Sequence, residues 1–281
     1  MKKACKPVKL IQLTDIHLTS PGATIGGRDP NANFERALDD VLANHRDAEL
    51  MVITGDLSDW GDEPDYIRLR ERLSEFPVPT ELCIGNHDDR ATFLKVFPEY
   101  GGHDGFVQNV RDTSVARCLL LDTWGPQTHA GHYCATRRDW LDARLGEHDG
   151  PFLIFLHHNP IPVHIEAVDQ IGLLDAAPFA EIVGTHCHKV RHIFFGHCHL
   201  PLSGSVAGVP VSGIRGTNHA GYPTFTETKK LTASNLPEAY GVAFVDPNSV
   251  TVHMVEFGYD GEIRIEGSPD YADWDRETTM R

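Results

Sequence analysis

The chain has 281 residues, an apolar fraction of 41%, and 40 acidic against 25 basic residues, for a net charge of −15. That length suits one large α/β domain, and the apolar share leaves enough side chains for a sizeable core. A surface so negative repels nucleic-acid polymers, whereas a small anionic substrate can still bind where the site brings its own cations.

Met1 to Leu10 carries Lys2, Lys3, Lys6 and Lys9, with no apolar stretch after them that would serve as a signal peptide. Val8 to Leu13 reads as a strand. Asn33 to Asn44 reads as a helix, with Phe34, Ala37, Leu38, Val41 and Leu42 at helical spacing and Asn33 as N-cap. Leu50 to Thr54 is an apolar strand, and Tyr66, Leu69 and Leu73 mark a helix opened by Pro64. Leu82 to Ile84 ends a third strand and Val115 to Leu121 forms a fourth. Arg137 to Leu145 is helical in pattern, and Phe152 to Leu156 and His192 to Phe195 are buried strands. This alternation is the signature of a layered α/β protein.

Beyond Pro201 the pattern changes to short strands and turns, a β-rich extension from about residue 205 within a single domain of residues 1–281. Gly241 to Val245 and Val250 to Glu256 read as a hairpin, Gly221 to Pro237 as a polar loop or added element, and Asp270 onward as a charged tail. No apolar run approaches the roughly 18 residues that cross a bilayer. Cys5, Cys83, Cys118, Cys134, Cys187 and Cys198 are scattered without a CxxC pair, as in cytoplasmic proteins with free thiols. Cys187 and Cys198 lie among histidines, and a thiolate ligand there is the lesser reading. A cytoplasmic protein without membrane insertion is expected, with a homo-oligomer left open.

Five polar clusters each follow an apolar strand: Asp15-Ile16-His17, Gly55-Asp56, Gly85-Asn86-His87-Asp88, His157-His158 and Gly196-His197-Cys198-His199. Strand ends in parallel α/β sheets gather ligand sites. Any one cluster is an ordinary turn, but five at successive strand ends would bury many polar groups at high cost without a shared partner. A pair of metal ions is that partner. Aspartate, asparagine and imidazole together suit borderline ions such as iron, manganese or zinc. Strand alternation would let Asp15 and His17 grip one ion, and likewise His197 and His199. Asp56 has two oxygens with which to bridge both ions. The glycines before Asp56, Asn86 and His197 are expected to allow sharp turns.

The order D-x-H, GD, GNHD, HH and GHxH, over residues from about 10 to 200, resembles the calcineurin-like metallophosphoesterases. The resemblance implies a two-sheet β-sandwich flanked by helices, with two metal ions at the strand ends. It implies that Asp15, His17 and His199 hold one ion, that Asn86, His157 and His197 hold the other, and that Asp56 bridges. Asn86, His87 and His219 would face a small phosphoester substrate, and no ligand role follows for His158. Protein phosphatases of this superfamily carry GDxVDRG, but here the run is Gly55-Asp56-Leu57-Ser58-Asp59-Trp60-Gly61 without the arginine. Purple acid phosphatases place a tyrosine ligand where Asp59 stands. The runs from Gly85 to Arg90 and from Asp59 to Gly61 look most like bacterial class III cyclic-nucleotide phosphodiesterases and glycerophosphodiesterases. The implied activity is hydrolysis of a small phosphodiester by a hydroxide held between the ions, with His87 serving the leaving group or else only orienting ligands. A phosphomonoesterase is the alternative, and a nuclease or a non-catalytic scaffold are lesser ones.

Overall fold

The computed structural model describes residues 7–102, 104–226, 229–259 and 261–264. Lys2, Lys3, Cys5, Lys6 and the charged tail from Asp270 lie outside them. In chain order the elements are β1 (Val8–Leu13), α1 (Pro30–Asn44), β2 (Leu50–Thr54), α2 (Glu63–Ser74), β3 (Thr80–Cys83), α3 (Arg90–Val96), β4 (Asn109–Asp112), β5 (Arg117–Leu120) and α4 (Ala135–Gly146). There follow β6 (Phe152–Phe155), α5 (Glu166–Asp169), α6 (Ala176–Thr185), β7 (Val190–Phe195), β8 (Leu202–Val206), β9 (Val209–Gly213), β10 (Ala220–Gly221), β11 (Ala233–Ser234), β12 (Ala239–Val245) and β13 (Val250–Glu256).

Two sheets stack face to face. One has the order β13-β12-β1-β2-β3, the other β4-β5-β6-β7-β9-β8. Strands β1, β2 and β3 run parallel, as do β5, β6, β7 and β9, so these strands deliver their following loops to a common edge. Alternation along β1 divides its side chains. Leu10 joins Leu50, Val52, Phe155 and Phe194 between the sheets, while Ile11 and Leu13 face Phe34, Leu38 and Val41 of α1. Phe155 and Phe194 stack with ring centroids 4.7 Å apart. Each such side chain, fully buried, contributes roughly 1.5–3 kcal/mol. On the far side of the second sheet, Leu141 and Leu145 of α4 and Phe179 and Val183 of α6 close another core layer. Gln12 staples the sheets from within, its amide donating to the Phe195 carbonyl at 3.0 Å and to the Thr54 hydroxyl at 3.1 Å.

The sandwich flanked by helices is the expected architecture. Helix α1 begins earlier than its apolar spacing suggested: Asp29, not Asn33, is the N-cap, accepting from the Asn31 and Ala32 amides, and Pro30 takes the first turn. Asn33 instead donates to the Asn218 carbonyl and side-chain oxygen at 3.2 and 3.0 Å, fastening the loop that carries His219. The strands beyond residue 205 enter the sheets: β9 bonds to β7 and β12 to β1. Hairpin β12–β13 falls where the pattern placed it. Helices α3 and α6 and strand β4 were not apparent from the pattern. Among the described residues no helix is long and apolar enough to cross a membrane.

Candidate metal centre

Each donor stands just past a strand end: Asp15 and His17 after β1, Asp56 after β2, Asn86 and His87 after β3, His157 after β6, His197 and His199 after β7. The expected strand alternation does not place them. Asp15, His17, Asp56, His197 and His199 have φ of 53°, 47°, 50°, 65° and 52°, in the left-handed region that costs a non-glycine residue about 1–2 kcal/mol. Backbone bonds hold these turns, with the Asp15 amide donating to Gly55 O at 3.1 Å and the His17 amide to Asp56 O at 2.9 Å. The glycines also serve close approach. Gly55 has φ +101°, and a Cβ there would lie 2.5 Å from His157 Nδ1. Gly85 has no positive φ; a Cβ on it would strike Asp56 Oδ1 at 2.3 Å.

Two donor sets converge on Asp56. On one side His17 Nε2 is 3.7 Å from Asp56 Oδ2, and His199 Nε2 is 3.3 Å from Asp15 Oδ1. On the other, His157 Nε2 is 3.4 Å from Asp56 Oδ2 and 3.1 Å from Asn86 Oδ1, with the His197 ring centroid 5.1 Å from that of His157. The outward nitrogens are occupied. His157 Nδ1 donates to Thr54 O at 2.8 Å, His199 Nδ1 to His219 O at 3.1 Å, and His17 Nδ1 to Asp59 Oδ1 at 3.1 Å. Such bonds fix the tautomer that aims Nε2 inward as a lone-pair donor.

Electrostatics give the pocket its demand for positive charge. Burial alone would raise the Asp56 carboxyl, but His157, His87 and His17 outweigh it and hold it well below the usual carboxylate range. Asp15 is held low in the same way, burial being outweighed by His199 and His157. Burial disfavours a charged His157, yet Asp56 and Asp15 pull its pKa up to about 9. His197 goes the other way, pushed down to about 3 by burial and by His157. Asp15 Oδ2, His17 Nε2 and His197 Nε2 are buried with no hydrogen-bond partner. Orphaned atoms of this kind cost free energy unless something shares their lone pairs, and cations fit that need and this donor chemistry.

His87 donates its backbone amide to Asp56 Oδ1 at 2.9 Å and Nδ1 to Asp59 O at 2.9 Å, leaving Nε2 for the cavity beyond. His219 also lines this cavity, its ring centroid 4.2 Å from His199 and 5.0 Å from His17. His158 clusters with His157 and His197, its ring centroid 4.9 and 4.7 Å from theirs, but both its nitrogens are engaged. Its Nδ1 accepts from the Thr123 hydroxyl at 2.8 Å and Nε2 donates to His129 O at 3.2 Å, and burial followed by His197 holds it well below the usual imidazole range. Cys198 is buried with its thiol pushed well up, and Cys187 is exposed; among the described residues neither joins a donor cluster.

His129 has no counterpart in the sequence reading. It lies on the loop between β5 and α4, where no strand end or motif marks it, and its Nδ1 accepts from Asn86 Nδ2 at 2.9 Å. That bond turns the Asn86 oxygen towards His157 and leaves the other nitrogen of His129 for the cavity. The cavity holds about 550 Å³, within the range of small-molecule sites.

A sandwich of this topology with carboxylate and imidazole donors at its strand ends defines a metal-dependent hydrolase. The calcineurin-like phosphoesterase family matches residues 8–201. A "probable cyclic nucleotide phosphodiesterase" of Rhodopseudomonas palustris is 33% identical over 261 residues, covering 91% of this chain and 95% of the relative. A cAMP/cGMP dual specificity phosphodiesterase of Mycobacterium tuberculosis is 30% identical over 211 residues, covering 72% of this chain and 65% of the relative. Among solved structures, a dimetal phosphatase from Danio rerio shares the fold with a TM-score of 0.67 at 16% identity, covering 90% of this chain and 97% of that one. This chain belongs to the calcineurin-like phosphoesterase family, whose members are binuclear metal enzymes.

Proposed function

We propose that this enzyme hydrolyses small phosphodiesters, 3′,5′-cyclic nucleotides foremost, at a site of two ions drawn from iron, manganese and zinc. Asp15, His17 and His199 would hold one ion and Asn86, His157 and His197 the other, with Asp56 as the carboxylate that would serve both. The unpartnered buried atoms Asp15 Oδ2, His17 Nε2 and His197 Nε2 carry this reading. When bound, the ions lower the pKa of water towards about 7 and neutralise phosphate charge. Asp56 supplies the negative charge that keeps two cations together. His87, anchored through Nδ1, presents Nε2 to the leaving oxygen, which needs a proton or a neighbouring charge. His219 and His129 face the substrate from the cavity walls.

The names of the relatives from R. palustris and M. tuberculosis point to cyclic nucleotides. The test is turnover of cyclic AMP, a glycerophosphodiester, bis(p-nitrophenyl) phosphate and p-nitrophenyl phosphate, side by side with a defined metal. Cyclic AMP should be hydrolysed with a kcat/KM above those of the glycerophosphodiester and the monoester. A monoester preference would overturn the diester assignment.

A further inference from the structure

Beyond the metal end, the lining of the cavity forms a slot of mainly apolar walls, with Gln170, Lys229 and Thr232 as polar members, larger than a phosphate group and two ions would fill. Ile165, Val168 and Ile171, in and around α5, line it together with Leu200, Tyr222 and Leu231. Tyr222 and Leu231 belong to the flap carried by β10 and β11, and are 55% and 63% exposed. Large apolar side chains held open at a cavity mouth mark a binding surface.

The flap is fastened directly to the metal-site segment. The Gly221 amide donates to the His199 carbonyl at 3.0 Å, and the His199 ring in turn donates to the His219 carbonyl at 3.1 Å, two residues before Gly221. Within the flap, the Tyr222 amide donates to Thr232 O at 2.9 Å and the Thr232 hydroxyl donates to Tyr222 O at 2.5 Å. These polar groups are satisfied locally, so Tyr222 and Leu231, beside Lys229, are the flap side chains turned to the cavity.

We infer that this slot receives the base of a nucleotide diester, and that Tyr222 and Leu231 set the preference for such substrates over diesters of small polar alcohols. This rests on the cyclic-nucleotide reading above. A purine brings a flat apolar face suited to an aromatic ring and aliphatic walls, while its phosphate stays at the ions. A glycerophosphodiester places only hydroxyls and an amine in the slot, where they lose water against mainly apolar walls and offer no flat face to Tyr222.

The experiment compares kcat/KM for cyclic AMP and for sn-glycero-3-phosphoethanolamine in the manganese-loaded full chain and in Tyr222→Ala and Leu231→Ser. Both side chains are largely exposed, so the fold should tolerate these changes. The wild type should favour cyclic AMP. In Tyr222→Ala the ratio of the two kcat/KM values should fall about tenfold, chiefly through KM for cyclic AMP, as expected for losing one stacking partner of a base. Leu231→Ser should shift it the same way by about threefold. An unchanged ratio in both variants overturns the slot while leaving the cyclic-nucleotide reading in place. A wild type active on the glycerophosphodiester and inert to cyclic AMP overturns that reading itself, and the slot with it.

Discussion

His87 is tied at two points and free at a third. Its amide holds Asp56 Oδ1, its Nδ1 holds the Asp59 carbonyl, and its Nε2 faces the cavity. If that nitrogen serves the leaving group, the demand for it grows with the basicity of the departing oxygen. General acid catalysis typically supplies 10²–10⁴-fold, or roughly 3–5 kcal/mol. His87→Ala should therefore depress hydrolysis of cyclic AMP, which releases an alkoxide, by at least ~10²-fold, and that of bis(p-nitrophenyl) phosphate far less. Metal content is measured alongside, because the His87 amide holds Asp56. Equal losses on both substrates with both metals retained would assign His87 to positioning. Asp59 supports a second expectation at this scale. It stands where a tyrosine ligand would give purple acid phosphatases their colour, and its carboxylate instead accepts from His17 Nδ1. Tyr66 is no substitute, since its buried hydroxyl donates to Asp88 Oδ1 at 2.9 Å. The iron-loaded protein should show no strong visible charge-transfer band, and the appearance of one would overturn this arrangement of ligands.

At the scale of elements, the loops after β2 and β3 are pinned by one carboxylate. Asp88 accepts from the amides of Leu57, Ser58 and Gly85 and from the Tyr66 hydroxyl, at 2.8–3.1 Å. This clamp joins the turn bearing Asp56 to the turn bearing Asn86 and His87. Asp88→Asn would turn an NH₂ towards buried N–H donors, and each unsatisfied group costs about 1–3 kcal/mol. The variant should lose about 3 kcal/mol or more in denaturant unfolding and bind less metal. Wild-type stability with two ions bound would show that the clamp is dispensable. The clamp also shows what the sequence could and could not convey. Asp15, His17, Asp56, Asn86, His157, His197 and His199 were legible because the topology places strand-end residues together, and each followed an apolar run. Their left-handed turns were not, since alternation along a strand says nothing of residues beyond its end. His129 was invisible for a related reason: it reaches Asn86 from a loop whose path depends on packing. Helix α1 was misread at its start because Asp29-Pro30 marks a helix without apolar spacing, while Asn33 met a partner 185 residues away.

Across the whole molecule, stacking two sheets leaves a dry layer in which a titratable group alters stability without touching the site. His192 on β7 lies in this layer, with its ring centroid 4.5 Å from Phe194 and Nε2 2.8 Å from the Ser212 hydroxyl. Burial pushes its pKa down to about 4. In the unfolded chain the imidazole titrates near 6.5. Above that pH neither state carries the proton, and His192 adds no pH dependence. As pH falls through about 6.5 the unfolded chain binds a proton that the folded one refuses, so stability declines until about pH 4, where the folded state protonates too. The loss attributable to this residue approaches ~3 kcal/mol at the acid end. His192→Gln retains a partner for Ser212 but cannot titrate. Acid also acts on the metal site and on surface carboxylates, but those contributions are common to both proteins when both are metal-free. Urea unfolding of the two, followed from pH 7.5 to pH 4, should therefore give curves whose difference is flat above about pH 7 and then shifts steadily in favour of the variant. Parallel curves over that range would mean that His192 is solvated or protonated in the folded protein, and that the layer between the sheets admits water.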